Sequence, residues 1–205
     1  MTLLTTNVQI KDNNGNPIPQ ASVVDSNGRV ALAVTLVDSS GNSTTAGGGG
    51  GGTTAVTVSV AVTPTVSATT YTTGLVIGGL MSFAGMARSA NSTGLINSAS
   101  VASKSPNTAS IDIIVFGVQP GSIADTGNIS TLAPADLAKI VCVFSLAEWS
   151  SIGAGSFGQA APESRFFKCA DGTNTQTLWA YAVARASVTL ASTSDLTVTI
   201  RASQD

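Results

Sequence analysis

The stretch GGGGGGTTAVTVSVAVT, residues 47–63, decides how this chain folds, because six glycines run directly into an alternating apolar pattern. A period of two predicts a β-strand with one face on a core and the other in water. Glycine has no side chain to pack and loses the most entropy on ordering, so residues 47–54 are predicted to be a flexible linker. The linker separates an N-terminal arm, residues 1–46, from a folded domain, residues 55–205.

Strand-like runs continue at regular intervals after this first strand. They are separated by turn signals such as QPG, DTGN and STSD, and with the first strand they make about eight strands. This pattern predicts an all-β fold, an antiparallel β-sandwich of the jelly-roll type. An immunoglobulin-like sandwich with fewer strands is the alternative. The later runs begin at Leu75, Gly94, Ser110, Ile140, Ser164, Thr177 and Leu196.

One short helix is predicted within TLAPADLAKI, residues 131–140. Thr131 is a suitable N-cap, and Pro134 suits the first helical turn. Asp136 would lie near the positive end of the helix dipole, which favours a carboxylate.

Charged residues are scarce, and this narrows the function. Only 10% of the residues are Asp, Glu, Lys or Arg, and the formal net charge is −2. A surface of Ser, Thr, Asn, Gly and Ala lacks the clustered cations that nucleic acids and anionic membranes require, so neither is predicted as a partner. The start of the chain has no secretory signal pattern and no apolar run is long enough to cross a bilayer, which predicts a soluble, unexported protein.

Enzymatic chemistry is not predicted either. The sequence contains no histidine, which removes the commonest general base and imidazole ligand, and it contains no GxSxG motif. Cys142 and Cys169 lie in apolar runs and are predicted to be buried structural thiols. No metal or cofactor is predicted, because no cluster of His, Cys or acids is visible in the sequence.

Two positions in the predicted strands admit a functional as well as a structural interpretation. Asp112 lies among apolar strand residues, and an outward-facing or subunit-contact position is favoured over a catalytic one because no second acid is near it in sequence. In LWAYAVARA, Trp179, Tyr181 and Arg185 share one strand face. They form either an aromatic-lined platform for a sugar or a set of core aromatics with an arginine at the rim.

The arm contains short β-prone pieces broken by NNGNP and SNG, too few to close a core of their own. We therefore expect the arm to be extended and to gain order by docking onto a partner chain. Its predicted apolar contacts are Val8, Ile10, Val30, Leu32, Val34 and Leu36.

The order of these segments resembles small structural proteins of tailed-bacteriophage virions. The resemblance rests on the arm VQIKDNNGNPIP, the stretch VDSSGNSTTAGGGGGG and the ending SDLTVTIRASQD. Within residues 56–205 it also rests on TPTVSATTYTTGLVIGG, IDIIVFGVQP, LAPADLAKIVCVFSL and LWAYAVARAS. The resemblance implies a head or neck component, such as a decoration, cement or collar protein, and it carries over no enzymatic residues.

The expected function is that of a non-enzymatic virion structural protein, assembled in the host cytoplasm. Its arm is expected to dock onto major capsid, neck or portal-proximal subunits, and its sandwich to form a homo-oligomer, with a trimer predicted. The alternative is a carbohydrate- or host-surface-binding module on the particle, which would use the exposed face of LWAYAVARA. An exposed aromatic face would favour the second function, and a buried one the first.

Overall fold

The computed structural model describes residues 56–160, 164–170 and 176–204, together with four short strands between residues 22 and 44. The chain divides into two compact units, residues 1–52 and residues 53–205. In the first unit the short strands form two antiparallel pairs, β1 with β2 and β3 with β4. Their bounds are Ser22–Val24 (β1), Val30–Leu32 (β2), Leu36–Val37 (β3) and Ser43–Thr44 (β4).

The regular structure in the described part of the second unit is almost entirely strand. Five of them precede the only helical elements of that part, and seven follow. The earlier ones are β5 (Val56–Val62), β6 (Thr70–Tyr71), β7 (Val76–Phe83), β8 (Thr93–Ser103) and β9 (Ile111–Phe116). The later ones are β10 (Ile140–Leu146), β11 (Trp149–Ile152), β12 (Gly155–Gln159), β13 (Arg165–Lys168), β14 (Leu178–Ala184), β15 (Val188–Thr189) and β16 (Leu196–Gln204).

Ten of these strands form two antiparallel sheets. The small sheet has the order β10-β9-β14-β7, and the large sheet has the order β11-β12-β8-β16-β5, with β13 pairing with β8 next to β12. Strands β6 and β15 pair separately. The prediction of an all-β antiparallel sandwich is confirmed, and each of the eight predicted runs is a strand: β5, β7, β8, β9, β10, β13, β14 and β16.

The main core lies between the inner faces of the two sheets. Every second residue of β16 points into it, from Leu196 to Ala202, as the alternating sequence requires. The small sheet contributes long apolar side chains such as Phe83 and Phe144, both almost completely buried. Strand β5 reaches this core less completely, because Val58, Val60 and Val62 pack against it and remain partly exposed.

The small sheet carries a second apolar layer on its outer face. Residues 117–139, the connection between β9 and β10, lie over this face and bring Ile123, Ile129 and Leu132 onto it. We call this connection the covering segment. All six residues of β9 are consequently buried, so a strand that reads IDIIVF has apolar contacts on both sides.

The covering segment contains the predicted helix in shortened form. Helix α1 spans Pro134–Leu137 with Pro134 in its first turn, after a 3₁₀ turn at Ile129–Thr131. The prediction that Thr131 caps the helix is wrong: the N-cap is Ala133, which makes no side-chain capping bond, and the Thr131 hydroxyl donates to the carbonyl of Asn128. Asp136 accepts hydrogen bonds from the amide of Gly121 and from Lys139, so its carboxylate links the beginning of the covering segment to its end.

The hairpin of β11 and β12 was not predicted, because EWSSIGAGSFGQ is rich in glycine and serine, which are depleted in strands. Glycine is needed here for packing. A Cβ on Gly158 would lie 3.1 Å from the ring of Trp149, which lies against this strand. Trp149 also donates from Nε1 to the carbonyl of Ala109, which fixes the hairpin to the loop between β8 and β9.

Candidate functional site

The predicted aromatic face of LWAYAVARA lies on the outer side of the small sheet, beneath or beside the covering segment. Tyr181 is 0% exposed and Trp179 is partly buried in the second apolar layer. Arg185 lies just beyond the end of β14 and its side chain is 41% exposed. Sequence alternation therefore placed these residues on one face correctly, but they do not form one open surface that a sugar ring could contact.

Tyr181 holds the covering segment in place. Its hydroxyl donates to the carbonyl of Gly121 and accepts from the amide of Ile123, at 2.9 Å in the second case. Its ring packs edge-on against Phe116, with ring centroids 5.8 Å apart. Burial raises the pKa of Tyr181 above its ordinary value. The side chain is thus a structural link between β14 and the segment above it.

Asp112 and Arg185 form an ion pair at the open end of this face. Nε of Arg185 lies 2.6 Å from Oδ2 of Asp112, and the aspartate side chain is only 13% exposed. The Arg185 amide also donates to the carbonyl of Ser110, the residue that precedes β9. Of the two predicted positions, outward-facing or in a subunit contact, the first is correct in direction, because the Asp112 carboxylate points away from the main core. The residue is nevertheless buried, and its carboxylate meets Arg185 from the adjacent strand.

Asp125 is the most heavily hydrogen-bonded side chain of the covering segment. Its carboxylate accepts from the Ser67 amide at 2.8 Å, the Ser67 hydroxyl at 2.7 Å and the Tyr71 hydroxyl at 2.9 Å. It also accepts from the amide of Gly78 in β7. Burial alone would raise the pKa of Asp125, but these donors outweigh it and hold the pKa below its ordinary value. Burial, with Asp125 beside it, raises the pKa of Tyr71 to about 12.

Backbone hydrogen bonds extend this junction along the edge of β7. The Val76 amide donates to the carbonyl of Gly127 at 2.8 Å, and the Thr126 amide donates to the carbonyl of Val76 at 2.9 Å. Gly78 has φ +76°, and a Cβ there would lie 2.4 Å from Cβ of Pro64. The covering segment therefore occupies the first part of the outer edge of β7, at Val76 and Gly78, and Pro64 also lies against Gly78.

The outer face of the large sheet is organised differently. The register of β16 with β8 and β5 places Thr197, Thr199, Arg201 and Ser203 between those strands. Their neighbours have small or hydroxyl side chains, except that Leu95 of β8 lies beside Ser203. Each of the four is partly exposed. This surface, which we call the hydroxyl face, has Arg201 as its central charge, within 3.5 Å of the Ser100 hydroxyl.

Large apolar side chains border the hydroxyl face. Phe166 of β13 lies opposite Leu95 of β8 and is 82% exposed. Ile152, at the turn between β11 and β12, is 64% exposed. Exposed apolar residues beside small polar ones are typical of protein contact surfaces rather than of pockets for small molecules.

The structure gives less information on the predicted arm contacts. Val30 and Leu32 lie in β2, and Leu36 lies in β3, each in a strand paired with another piece of the same unit. Val8, Ile10 and Val34 lie outside the described residues. The docking of these residues onto a partner chain remains a prediction.

Within the described residues, no group of three or more His, Cys, Asp or Glu side chains is placed to hold a metal ion. Both cysteines are buried, and neither forms a disulfide. No helix in the described part of the chain is long and apolar enough to span a bilayer. A scan against protein-family models, a search of curated proteins and a search of solved structures each gave no match.

Two features of these surfaces were missed at the level of sequence. Asp125 lies in the turn signal DTGN. Nothing in the local sequence indicates that Ser67 and Tyr71, more than fifty positions away, donate hydrogen bonds to it. The hydroxyl face could have been predicted, because core-facing and outward-facing residues alternate strictly along LTVTIRASQ. The side chains that alternate with its core positions are the ones that form this face.

Proposed function

We propose that this chain is a non-enzymatic virion structural protein, a capsid decoration, cement or head-neck accessory subunit. The observation that supports it best is the hydroxyl face, a partly exposed sheet surface with few charges and a border of exposed apolar side chains. Such a surface suits contact with other protein subunits that are present in many copies. In this proposal the sandwich forms a trimer, and residues 1–46 bind the shell or neck.

The separate N-terminal unit supports the binding role proposed for residues 1–46. The chain divides between residues 52 and 53, at the end of the six glycines. A glycine tether allows a small unit to engage a neighbour while the sandwich keeps its own position, since effective concentration then replaces tight contact.

We further propose that the sandwich is a jelly roll. Strand pairs in the two sheets are nested: β9 with β10, β8 with β12 and β13, β7 with β14, and β5 with β16. A long antiparallel hairpin rolled into two sheets produces this nesting, and jelly rolls are built in that way from two Greek keys. Here β12 and β13 together take the place of one strand beside β8.

The test is incorporation into particles. We expect the chain without residues 1–46 to be lost from assembling particles that retain the full chain, and quantitative mass spectrometry of purified particles measures this. Undiminished incorporation would remove the anchoring role of the arm. Imaging intact particles tests the location itself, and no density for the sandwich on head, neck or tail would contradict the virion assignment. The sugar-binding alternative is less well supported, because Tyr181 is buried.

A further inference from the structure

The edges of the two sheets are not equally protected. Unpaired strand edges invite pairing with other chains, and proteins blunt them with charges, prolines, bulges or covering segments. The outer edge of β7 is bonded at its first residue, Val76, to Thr126 and Gly127 of the covering segment, and β13 carries Arg165 and Lys168. Strand β5 has none of these protections: among the described residues it pairs only with β16, and VTVSVAV contains no charge, proline or glycine.

The core-facing side of β5 is also incompletely covered. Val58, Val60 and Val62 pack against the main core yet stay partly exposed, and Val56 is 48% exposed. In β10, the edge strand of the small sheet, the core-facing Phe144 and Leu146 are 2% and 0% exposed. The sandwich thus ends at β5 with apolar surface that a further strand would bury.

We propose that β5 of one chain pairs antiparallel with β5 of a second copy, in a register centred on Ser59. A two-fold axis perpendicular to the sheet relates the two copies, so their core-facing sides point the same way. Core-facing residues must therefore lie opposite core-facing residues, and outward-facing residues opposite outward-facing ones. Centring on Ser59 pairs all seven residues of the strand. Valine then lies opposite valine, with Val58 facing Val60 and Val56 facing Val62 of the second copy, and Thr57 lies opposite Ala61.

The charges of the molecule permit this contact. Among the described residues of β5 and β16, the charge on the outer face is Arg201, which lies opposite Ser59. In the dimer two arginines would be three strand spacings apart, about 14 Å. That exceeds the ~8 Å screening length at physiological ionic strength, so their repulsion is small. A neutral edge that matches itself fits a second copy without the cost of opposing charges.

This contact is additional to the proposed trimer and does not depend on the proposed function. An isologous pair closes on itself, whereas a trimer needs a heterologous contact. A seven-residue strand pair also buries less than the ~1,200 Å² of a standard interface. We therefore expect a concentration-dependent pair that would be reinforced wherever many copies are held side by side.

Cysteine cross-linking of the full chain tests the register. Opposed residues in antiparallel strands have Cα atoms about 4.5–5.5 Å apart, within disulfide range, so Ser59→Cys should form a covalent dimer under mild oxidation. Thr57→Cys is the matched control, because its two copies would lie about 14 Å apart. We expect about tenfold more dimer from Ser59→Cys, judged on disulfide geometry. The parent chain provides the background, since Cys142 and Cys169 are buried.

Equal cross-linking of both variants would mean random collision and would overturn the proposal, as would no dimer from a folded Ser59→Cys variant. A second measurement avoids cysteine. Thr57→Lys with Ala61→Lys should weaken self-association in sedimentation, because like charges then face each other, whereas Thr57→Lys with Ala61→Glu should restore or strengthen it. In a chain that sediments as a monomer, protection of the β5 amides that face away from β16 would show another occupant of this edge, such as the chain's own arm, and would also overturn the proposal.

Discussion

The outer face of the small sheet lies under the covering segment, whereas the outward side chains of β16 in the large sheet stay partly exposed. The strands differ accordingly: β9 reads IDIIVF and is buried on both sides, while β16 reads LTVTIRASQ and alternates between buried and partly exposed residues. Both sheets share one core, so the difference lies in what the second face is built to contact. A hydroxyl face with so little apolar surface does not need a cover within the chain to stay in solution.

The largest expected effect comes from removing the link between the small sheet and its cover. Tyr181→Ala deletes a buried ring and the hydroxyl that binds Gly121 and Ile123, and we expect it to lower the free energy of unfolding by about 3–5 kcal/mol. Thr199→Ala, on the hydroxyl face, should change it by less than ~0.5 kcal/mol. Denaturant unfolding of both variants measures the contrast. Equal losses would mean that the two faces contribute alike to stability.

A smaller loss is expected where the connection after β5 passes against β7. Gly78→Ala requires a left-handed backbone and places a Cβ against Pro64, so we expect a loss of about 2–4 kcal/mol. Gly153→Ala is the matched control: its φ is +61°, but nothing lies within 4 Å of the added Cβ. That variant should lose only about 1–2 kcal/mol. Thermal melting at constant pH checks the order, and a milder effect at Gly78 would contradict the close approach.

Asp125 ties the cover to β7 and to the loop at Ser67 by charge-assisted hydrogen bonds. Asp125→Asn keeps the shape but weakens these bonds, and because the site is partly exposed we expect a loss of about 1–2 kcal/mol at neutral pH. The folded-state pKa of Asp125 is lowered, so its stabilisation is present above the ordinary value of 3.8 and is lost as pH falls through the folded-state pKa. Melting curves from pH 7 to pH 2 should therefore fall less steeply for Asp125→Asn than for the parent.

The same junction predicts an alkaline transition. Tyr71 has its pKa raised to about 12 from 10.0, so the neutral phenol stabilises the fold fully below pH 10 and this contribution is lost as pH rises towards 12. Tyr71→Phe removes the ionisation and should flatten the decline over that range. Unfolding at pH 9, 10 and 11 measures it, and parallel declines in both proteins would assign the transition to other groups.

Features of the fold that depend on local sequence could be predicted, and those that depend on contacts between distant residues could not. Strands such as β5 and β16 could be predicted, because alternation is a local property that burial on one face imposes. The hairpin of β11 and β12 could not, since Gly158 is explained by the Trp149 ring and Gly155 by the backbone of β8 and Lys104, contacts that the local sequence does not show. The aromatic face was placed on the correct strand and side, yet its cover lies in a different stretch of sequence. Alternation shows which residues share a face of the strand, but it does not show which other segment covers that face.

The smallest expected effect concerns the border of the hydroxyl face. Phe166 is 82% exposed, so Phe166→Ser removes almost no buried surface and should change the free energy of unfolding of dilute protein by less than ~0.5 kcal/mol. If the hydroxyl face is the surface through which the sandwich oligomerises, the same substitution should still weaken association, because exposed aromatic residues anchor protein contacts. Sedimentation at several concentrations separates these two quantities. Unchanged association together with unchanged stability would mean that Phe166 takes part in no contact and that the oligomer interface lies in another part of the sandwich.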